Sequence, residues 1–168
     1  MSNAWPATLK VGELSTNAQC SGDLGNIYSV GNSCFQLVQT NSLIISNAAG
    51  KLMQRLYTSG VPTGKAIECI TANSNDVCGV VPSVNFTSTT TISAGTFLLV
   101  VVRGPTPIQV NTTVIAGAFL ASSGTAGGAQ SCDTATGLFA SAVGRMIQTT
   151  AASVANVTVP SIVTIDEG

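Results

Sequence analysis

The sequence predicts an all-β protein with a compact sandwich-like or barrel-like body. The chain has 168 residues, 45% of them hydrophobic and only 5% aromatic, and its apolar residues are mainly small or β-branched, as strands favour. Short apolar runs recur about every 8–12 residues between Gly, Pro, Asn and Ser, which is typical of sandwiches and barrels. The length suits one domain or two similar small β lobes.

Residues 1–30 predict an extended N-terminal arm, because Gly and Pro interrupt any sustained hydrophobic period. Short strand segments are expected near Leu24–Val30. A frayed tail and a packed N-terminal strand are the alternatives. Residues 31–168 are predicted to form the β-rich body.

The body is divided into short apolar runs that predict strands. One run, Gly50–Thr58, also fits a short helix, and the strand and helix interpretations stay open there. The predicted strands are Cys34–Gln39, Leu43–Ser46, Leu52–Thr58, Ala66–Ile70, Val77–Val81, Thr89–Ile92, Thr96–Arg103, Ile108–Ile115, Ala118–Ser122, Gly128–Ser131, Ala142–Gln148 and Ser153–Ile165.

A weak internal repeat relates residues 50–106 to residues 113–165. Leu56–Cys69 aligns without gaps to Phe119–Cys132. In both halves the order is strand, Gly-containing turn, strand, short Gly-containing strand and long Val-rich strand. The repeated order is better evidence for a duplication than the identities themselves.

Charge and composition exclude several functions. Six Lys and Arg against seven Asp and Glu give a net charge of -1, which does not suit nucleic-acid binding. The chain has no histidine, so Ser-His-Asp and Cys-His catalysis and imidazole metal ligands are excluded. The few carboxylates have no spacing typical of an acid/base pair. We therefore expect no enzymatic activity, no cofactor and no metal site.

Two Gly-rich segments predict turns. Gly60–Ala66 superficially matches a phosphate-binding loop, but it has three residues between its glycines instead of four, and Ala66 follows Lys65 where Ser or Thr is required. Ser123–Gln130 has no Lys or Arg to pair with phosphate.

The five cysteines form no CxxC motif, which argues against zinc binding and thioredoxin-like chemistry. Buried reduced thiols are the expectation. The alternative is one disulfide, for which Cys20–Cys34 and Cys69–Cys78 are the pairs closest in sequence.

No targeting or membrane segment is expected. The first residues lack a basic region followed by an apolar one, as a secretory signal requires. The densest apolar stretch, Phe97–Val102, has the length of a strand and is far shorter than a bilayer span.

Two long segments, Thr71–Thr106 and Ile115–Ile165, resemble small bacteriophage capsid-decoration, or cement, proteins. Cys78-Gly79-Val80-Val81 and Thr96–Thr106 are similar to the family's first Gly-containing strand and its Val-rich strand. Val143-Gly144-Arg145-Met146 occupies the family's later Gly-containing strand. Ala118 and Ile147-Gln148 stand where Asp or Glu is common in the family.

The resemblance implies a virion structural protein without catalysis that binds the outer surface of an assembled capsid, commonly as a homotrimer. Its partners would be the major capsid protein and further copies of itself, with no nucleic acid or membrane, and it would join the virion in the host cytoplasm. The residues predicted to dock on the capsid are Trp5, Leu9, Val11 and Leu14 in the arm and Tyr28 where the arm meets the body. The alternative function is a head-fibre, tail-fibre or adhesin-type module that recognises a host-surface glycan.

Overall fold

The computed structural model describes residues 9–41, 44–87, 89–115, 117–132, 142–146 and 157–165. Within these residues a short 3-10 helix, Ala18–Asp23, precedes a body made of β-strands, so the predicted all-β fold is confirmed. The strands are β1 (Ile27–Val30), β2 (Ser33–Thr40), β3 (Ile44–Ile45), β4 (Leu52–Thr58), β5 (Val61–Glu68), β6 (Val77–Val80), β7 (Ile92–Ser93), β8 (Phe97–Val110), β9 (Phe119–Ser122), β10 (Ala129–Ser131), β11 (Ala142–Met146) and β12 (Val157–Thr164).

Five strands close a ring of backbone pairing that we name barrel 1. The ring runs β2, β5, β4, β6, β8 and back to β2. β2 and β5 pair in parallel through Gln39 and Thr40, and the other contacts in the ring are antiparallel. β1 pairs with residues 33–36 of β2. Ring closure leaves little unpaired strand edge, which suits a chain with few charges to protect its edges.

A second ring, barrel 2, runs β8, β10, β9, β11, β12 and back to β8. The long strand β8 therefore belongs to both barrels. Residues 97–103 of β8 pair with β2, and residues 103–110 pair with β12. Barrel 2 also contains one parallel contact, between Val110 of β8 and Ala129 of β10.

The two barrels share the same strand order and the same registers. Where the parallel contact ends in barrel 1, the N–H of Asn41 donates to the Ala66 carbonyl at 2.9 Å. In barrel 2 the N–H of Asn111 donates to the Ala129 carbonyl, also at 2.9 Å. β2, β4, β5, β6 and β8 of barrel 1 thus correspond to β8, β9, β10, β11 and β12 of barrel 2.

An irregularity of pairing recurs at equivalent places. Met53 lies opposite Gly79 in barrel 1, and Leu120 lies opposite Gly144 in barrel 2, each beside a register shift. Both glycines are packed too tightly for a side chain. A Cβ on Gly79 would lie 2.3 Å from Cγ2 of Val100, and one on Gly144 would lie 2.8 Å from a backbone oxygen.

The sequence alignment follows this correspondence only in part. Cys69 and Cys132 are equivalent, since their N–H groups donate to the carbonyls of Leu52 and Phe119, which begin β4 and β9. The first hairpin, however, has ten residues between the paired Arg55 and Ala66, and the second has six between their equivalents. The ungapped alignment therefore shifts β4 out of register with β9.

One hydrophobic cluster joins the two barrels through β8. It contains residues of barrel 1, such as Leu52 and Val80, and residues of barrel 2, such as Leu120 and Val163. Val101 and Ile108, both on β8, lie in the same cluster. Burial of these side chains couples the two halves into one body.

The predicted strand Thr96–Arg103, apart from Thr96, and the first three residues of the predicted strand Ile108–Ile115 belong to the single strand β8, which ends at Val110. The sequence Gly104-Pro105 between them predicts a break, but β2 and β12 together hold this stretch extended. Gly104 has a φ of 121°, and a Cβ there would lie 2.5 Å from the Ser33 hydroxyl oxygen. The glycine permits β2 to pass close to β8.

In the open choice between helix and strand at Gly50–Thr58, the strand is correct. β4 pairs on both sides, with β5 and β6, and tertiary pairing overrides a weak helical period. The hairpin turn consists of Ser59 and Gly60 alone, with φ values of 52° and 79°, as a two-residue type I′ turn requires. The prediction that the whole of Gly60–Ala66 forms a turn is thus wrong, because Val61–Ala66 belongs to β5. No helix in the described part of the chain is long and apolar enough to cross a membrane.

Candidate docking surface

The N-terminal segment packs against barrel 1 from Leu9 onward. The backbones of Ser15 and Phe97 exchange hydrogen bonds of 3.1 and 2.7 Å. The 3-10 helix is capped by Asn17, whose side chain accepts from the N–H of Gln19 at 3.0 Å. After the helix, β1 forms an antiparallel hairpin with β2.

Two of the predicted docking residues are buried by the chain itself. Leu9 and Tyr28 are 2% and 1% exposed and lie in one cluster with Leu37, Phe97 and Leu99. Burial raises the pKa of the Tyr28 hydroxyl more than its hydrogen bond with Asn26 lowers it.

The remaining predicted docking residues differ in their placement. Val11 is half-buried against the same cluster, and Leu14 is 40% exposed. Trp5 lies outside the described residues. Docking through this segment stays a prediction, and among its described members Leu14 offers the most accessible side chain.

A row of apolar residues on barrel 2 was not identified from the sequence. Phe119 on β9 and Ile162 on β12 both lie opposite Arg145 of β11, and Ile162 lies opposite Pro105 on β8. Directly paired residues of a sheet share a side, so Phe119, Arg145, Ile162 and Pro105 occupy one row of positions across four neighbouring strands. We name the three apolar residues of this row, Phe119, Ile162 and Pro105, the barrel 2 face. Phe119 is 36% and Ile162 47% exposed, and Pro105 is exposed as well.

The sequence obscures this face because β12 reverses the usual alternation. Ser161 is 1% exposed whereas its neighbour Ile162 points outward. Pro160, two residues before Ile162 on the same side of the strand, is also exposed and indicates which side faces solvent.

The tip of the β4–β5 hairpin is a second exposed apolar site. Tyr57 lies opposite Pro62, and Thr58 lies opposite Val61. Tyr57 is 44% and Val61 63% exposed. We name residues 57–62 the hairpin tip.

One charged position, that of Arg145, lies in the row of the barrel 2 face. In the part of the chain that the structure describes, the ion pair is that of Lys51 with Glu68, whose side chains are largely buried. No cluster of three or more His, Cys, Asp or Glu side chains that could hold a metal ion occurs among the described residues. All five cysteines are in the reduced state, with Cys34 half-buried and the others buried.

Comparisons with known proteins leave the family of this chain open. No protein-family profile matches the chain, and no curated protein matches it. Among solved structures it is similar to the N-terminal base of the head fibre protein gp8.5 of bacteriophage phi29, with 10% sequence identity and a TM-score of 0.48. The likeness covers 79% of this chain and 94% of the head-fibre chain.

Proposed function

We propose that this chain is a virion structural protein that decorates the outer surface of a bacteriophage capsid. It would stabilise the shell by bridging neighbouring major capsid subunits, as a homotrimer and without catalysis. The observation that carries the proposal is the barrel 2 face, three exposed apolar residues that lie in one row with Arg145.

The chemistry of this face supports docking on protein. Interfaces are enriched in aromatic residues and in Arg, and this row places Phe119 next to the position of Arg145. Phe119 is an aromatic anchor of the kind that interface centres favour. The family resemblance adds to this, because the segments that carry it form β6 to β12.

The chain is large enough to hold the required contacts. A standard interface takes about 800 Å² from each partner, and the accessible surface of the chain is 8090 Å². A trimer multiplies modest contacts, because binding of one subunit places the other two near their own sites.

The first experiment measures occupancy on purified shells that lack the protein. The variant Phe119→Ser/Ile162→Ser should lose most of its binding, because both substitutions remove apolar area from the face. The matched control, Tyr57→Ser/Val61→Ser, changes an aromatic and an aliphatic residue at the hairpin tip that are more exposed than Phe119 and Ile162, respectively, and it should bind as the native chain does. Equal loss in both variants, or none in the first, would contradict docking through barrel 2.

The N-terminal segment needs a separate test that leaves the core intact. Deleting residues 1–14 would also remove the buried Leu9. The variant Trp5→Ala/Leu14→Ser leaves Leu9 in place and changes the exposed Leu14 together with Trp5, which lies outside the described residues. Reduced shell occupancy for this variant, with an unchanged melting temperature, is expected if the segment docks. Full occupancy would refute docking through these residues.

Stabilisation and assembly are measured independently. Adding the protein to bare, genome-filled shells should raise the temperature of genome release, and no rise would contradict cementing. Light scattering of the isolated protein should give the mass of a trimer. Binding should depend only weakly on salt, since few charges are available to be screened.

Glycan recognition is the alternative function. The observation in its favour is Tyr57, an exposed aromatic side chain at the hairpin tip among hydroxyl residues. Hits on a glycan array that disappear in Tyr57→Ser would support it. An array without hits would favour decoration.

A further inference from the structure

Barrel 1 contains a cavity of about 360 Å³ that is open on one side. Residues from β2, β4, β5 and β6 line it, and so does the loop that precedes β1. Val38 and Cys78 form its apolar base and belong to the core cluster of the barrel. The side chain of Gln36 donates to the carbonyl of Gly25 at 3.1 Å and so fixes the loop at the rim. Barrel mouths of this kind are common ligand sites.

The charged groups at this cavity are all positive. Arg55 and Lys65 line it, and no carboxylate does. Arg55 lies opposite Ala66, which is fully buried in the barrel, so its side chain starts on the inner side of the sheet. Arg55 is half-buried, and its guanidinium forms no ion pair or hydrogen bond with the described residues. The neighbouring Asp76 accepts from the backbone N–H of Arg55 through its own carbonyl, at 2.8 Å.

Barrel 2 has an equivalent position, but there the chain fills the space itself. The register of pairing makes Ser122 the counterpart of Arg55. Ser122 is fully buried. Its hydroxyl donates to the Thr71 carbonyl at 2.7 Å and accepts from the Ser74 N–H at 2.8 Å. The loop 71–74 therefore closes this end of barrel 2.

The two glycines of the turn before β10 show the same difference. Gly127 and Gly128 are the counterparts of Gly64 and Lys65. The side chain of Lys51 packs on Gly127, and that of Asn111 packs on Gly128. Barrel 2 therefore has Ser122 and Gly128 at the positions of Arg55 and Lys65, and the cation beside Gly127, Lys51, is paired with Glu68. The two barrels share one strand order, but within the described residues only barrel 1 has an open end that carries Arg55. Because the fold does not require this opening, we take it as a sign of a binding role.

We propose that the mouth of barrel 1 binds a carboxylate that is attached to a small apolar body. The planar guanidinium of Arg55 can pair with both carboxylate oxygens, and the exposed Lys65 adds long-range attraction from the outer side of the sheet. The apolar body would rest on Val38, Leu24 and Pro62, which line the cavity. The carboxylate can belong to a free small molecule or to an acidic side chain of a partner protein. This site is independent of the proposed capsid docking through barrel 2.

The test is a titration of the isolated, full-length protein with sodium glutarate at constant ionic strength, followed by NMR of its amide groups. Shifts should concentrate at β4, β5 and the loop before β1. Arg55→Gln should weaken binding at least tenfold, and Lys65→Gln less. The matched control, Arg103→Gln, changes an exposed arginine on β8 outside the cavity and should bind within twofold of the native chain.

A structural effect is separated from loss of the cation by a second variant. Arg55→Lys keeps the charge but loses the planar fork, so its affinity should fall between those of the native chain and Arg55→Gln, at an unchanged melting temperature. Unaltered binding in Arg55→Gln, or an equal loss in Arg103→Gln, would overturn the proposal.

The source of the carboxylate is distinguished with two capped tripeptides, Gly-Glu-Gly and Gly-Gln-Gly. Binding of the Glu peptide alone supports an acidic side chain of a partner. Binding of glutarate without either peptide supports a free small molecule. Equal binding of both peptides would show that no carboxylate is recognised, which overturns the proposal.

Discussion

Gly79 offers a sharp test of how β6 packs on β8. A Cβ at this position would lie 2.3 Å from Cγ2 and 2.6 Å from Cβ of Val100. Val100 is fully buried, and its branched side chain has little freedom to move away. The variant Gly79→Ala therefore forces either the side chain or the strand to shift.

The expected cost follows from overpacking. Inserting a methyl group into a filled core costs about 1–3 kcal/mol, and distances this short place Gly79→Ala near the upper end. For a chain of this length, about 1 kcal/mol lowers the melting temperature by about 2–4 °C. We therefore expect the melting temperature to fall by about 5–10 °C, measured by calorimetry or circular dichroism.

The control and the rescue identify the cause. Gly124→Ala adds the same methyl group at a glycine with nothing within 4 Å and no positive φ, and should change stability little. Val100→Ala is destabilising alone, but combined with Gly79→Ala it should relieve the clash. The double variant should then be more stable than additivity predicts, by about 0.5–3 kcal/mol. Equal melting temperatures for Gly79→Ala and Gly124→Ala, or strict additivity with Val100→Ala, would refute the packing described here.

Three further predictions concern other parts of the body. Burial raises the pKa of Tyr28 in the folded state. The neutral hydroxyl therefore contributes fully to stability below the unfolded pKa of about 10, and this contribution is lost as pH rises through the folded pKa. The urea midpoint should fall less between pH 9 and pH 12 in Tyr28→Phe than in the native chain, and equal falls would contradict this. Lys51→Met leaves the carboxylate of Glu68 largely buried and unpaired, which should cost about 3 kcal/mol in urea unfolding. Stability should recover in Lys51→Met/Glu68→Gln, and the absence of recovery would show that the unpaired carboxylate is not the cause. Cys34, the half-buried thiol, should react with a thiol reagent in the native state while the four buried cysteines react only on unfolding, and the loss of the fast phase in Cys34→Ser is the check.

Much of the fold could be predicted because strand formation leaves a local signature. Val-rich runs between turn residues gave the β class, and most of the predicted strands coincide with strands of the structure. The continuity of β8 could not be predicted, because Gly104-Pro105 is a local break signal and the forces that override it come from β2 and β12. The alignment of the two hairpins was misplaced for a similar reason, since turn length is set by pairing that is distant in sequence.

The docking residues show a different limit. Leu9 and Tyr28 have the composition of an interface, but the same composition suits a core, and only burial distinguishes the two roles. Phe119 and Ile162 stood inside apolar runs and looked like core residues, yet both are exposed. The sequence pattern does not single out Arg55 either, because the cavity that Arg55 lines is formed by segments that are far apart in the sequence.

The sharing of β8 has a mechanical consequence. Each barrel is closed by a different part of this one strand, so detachment of the whole of β8 would open both rings. A pull applied at barrel 2 is carried along the backbone of β8 into barrel 1, and is resisted there by its pairing with β2 and β6. Under tension the two barrels should therefore unfold together in a single cooperative event, and not one after the other.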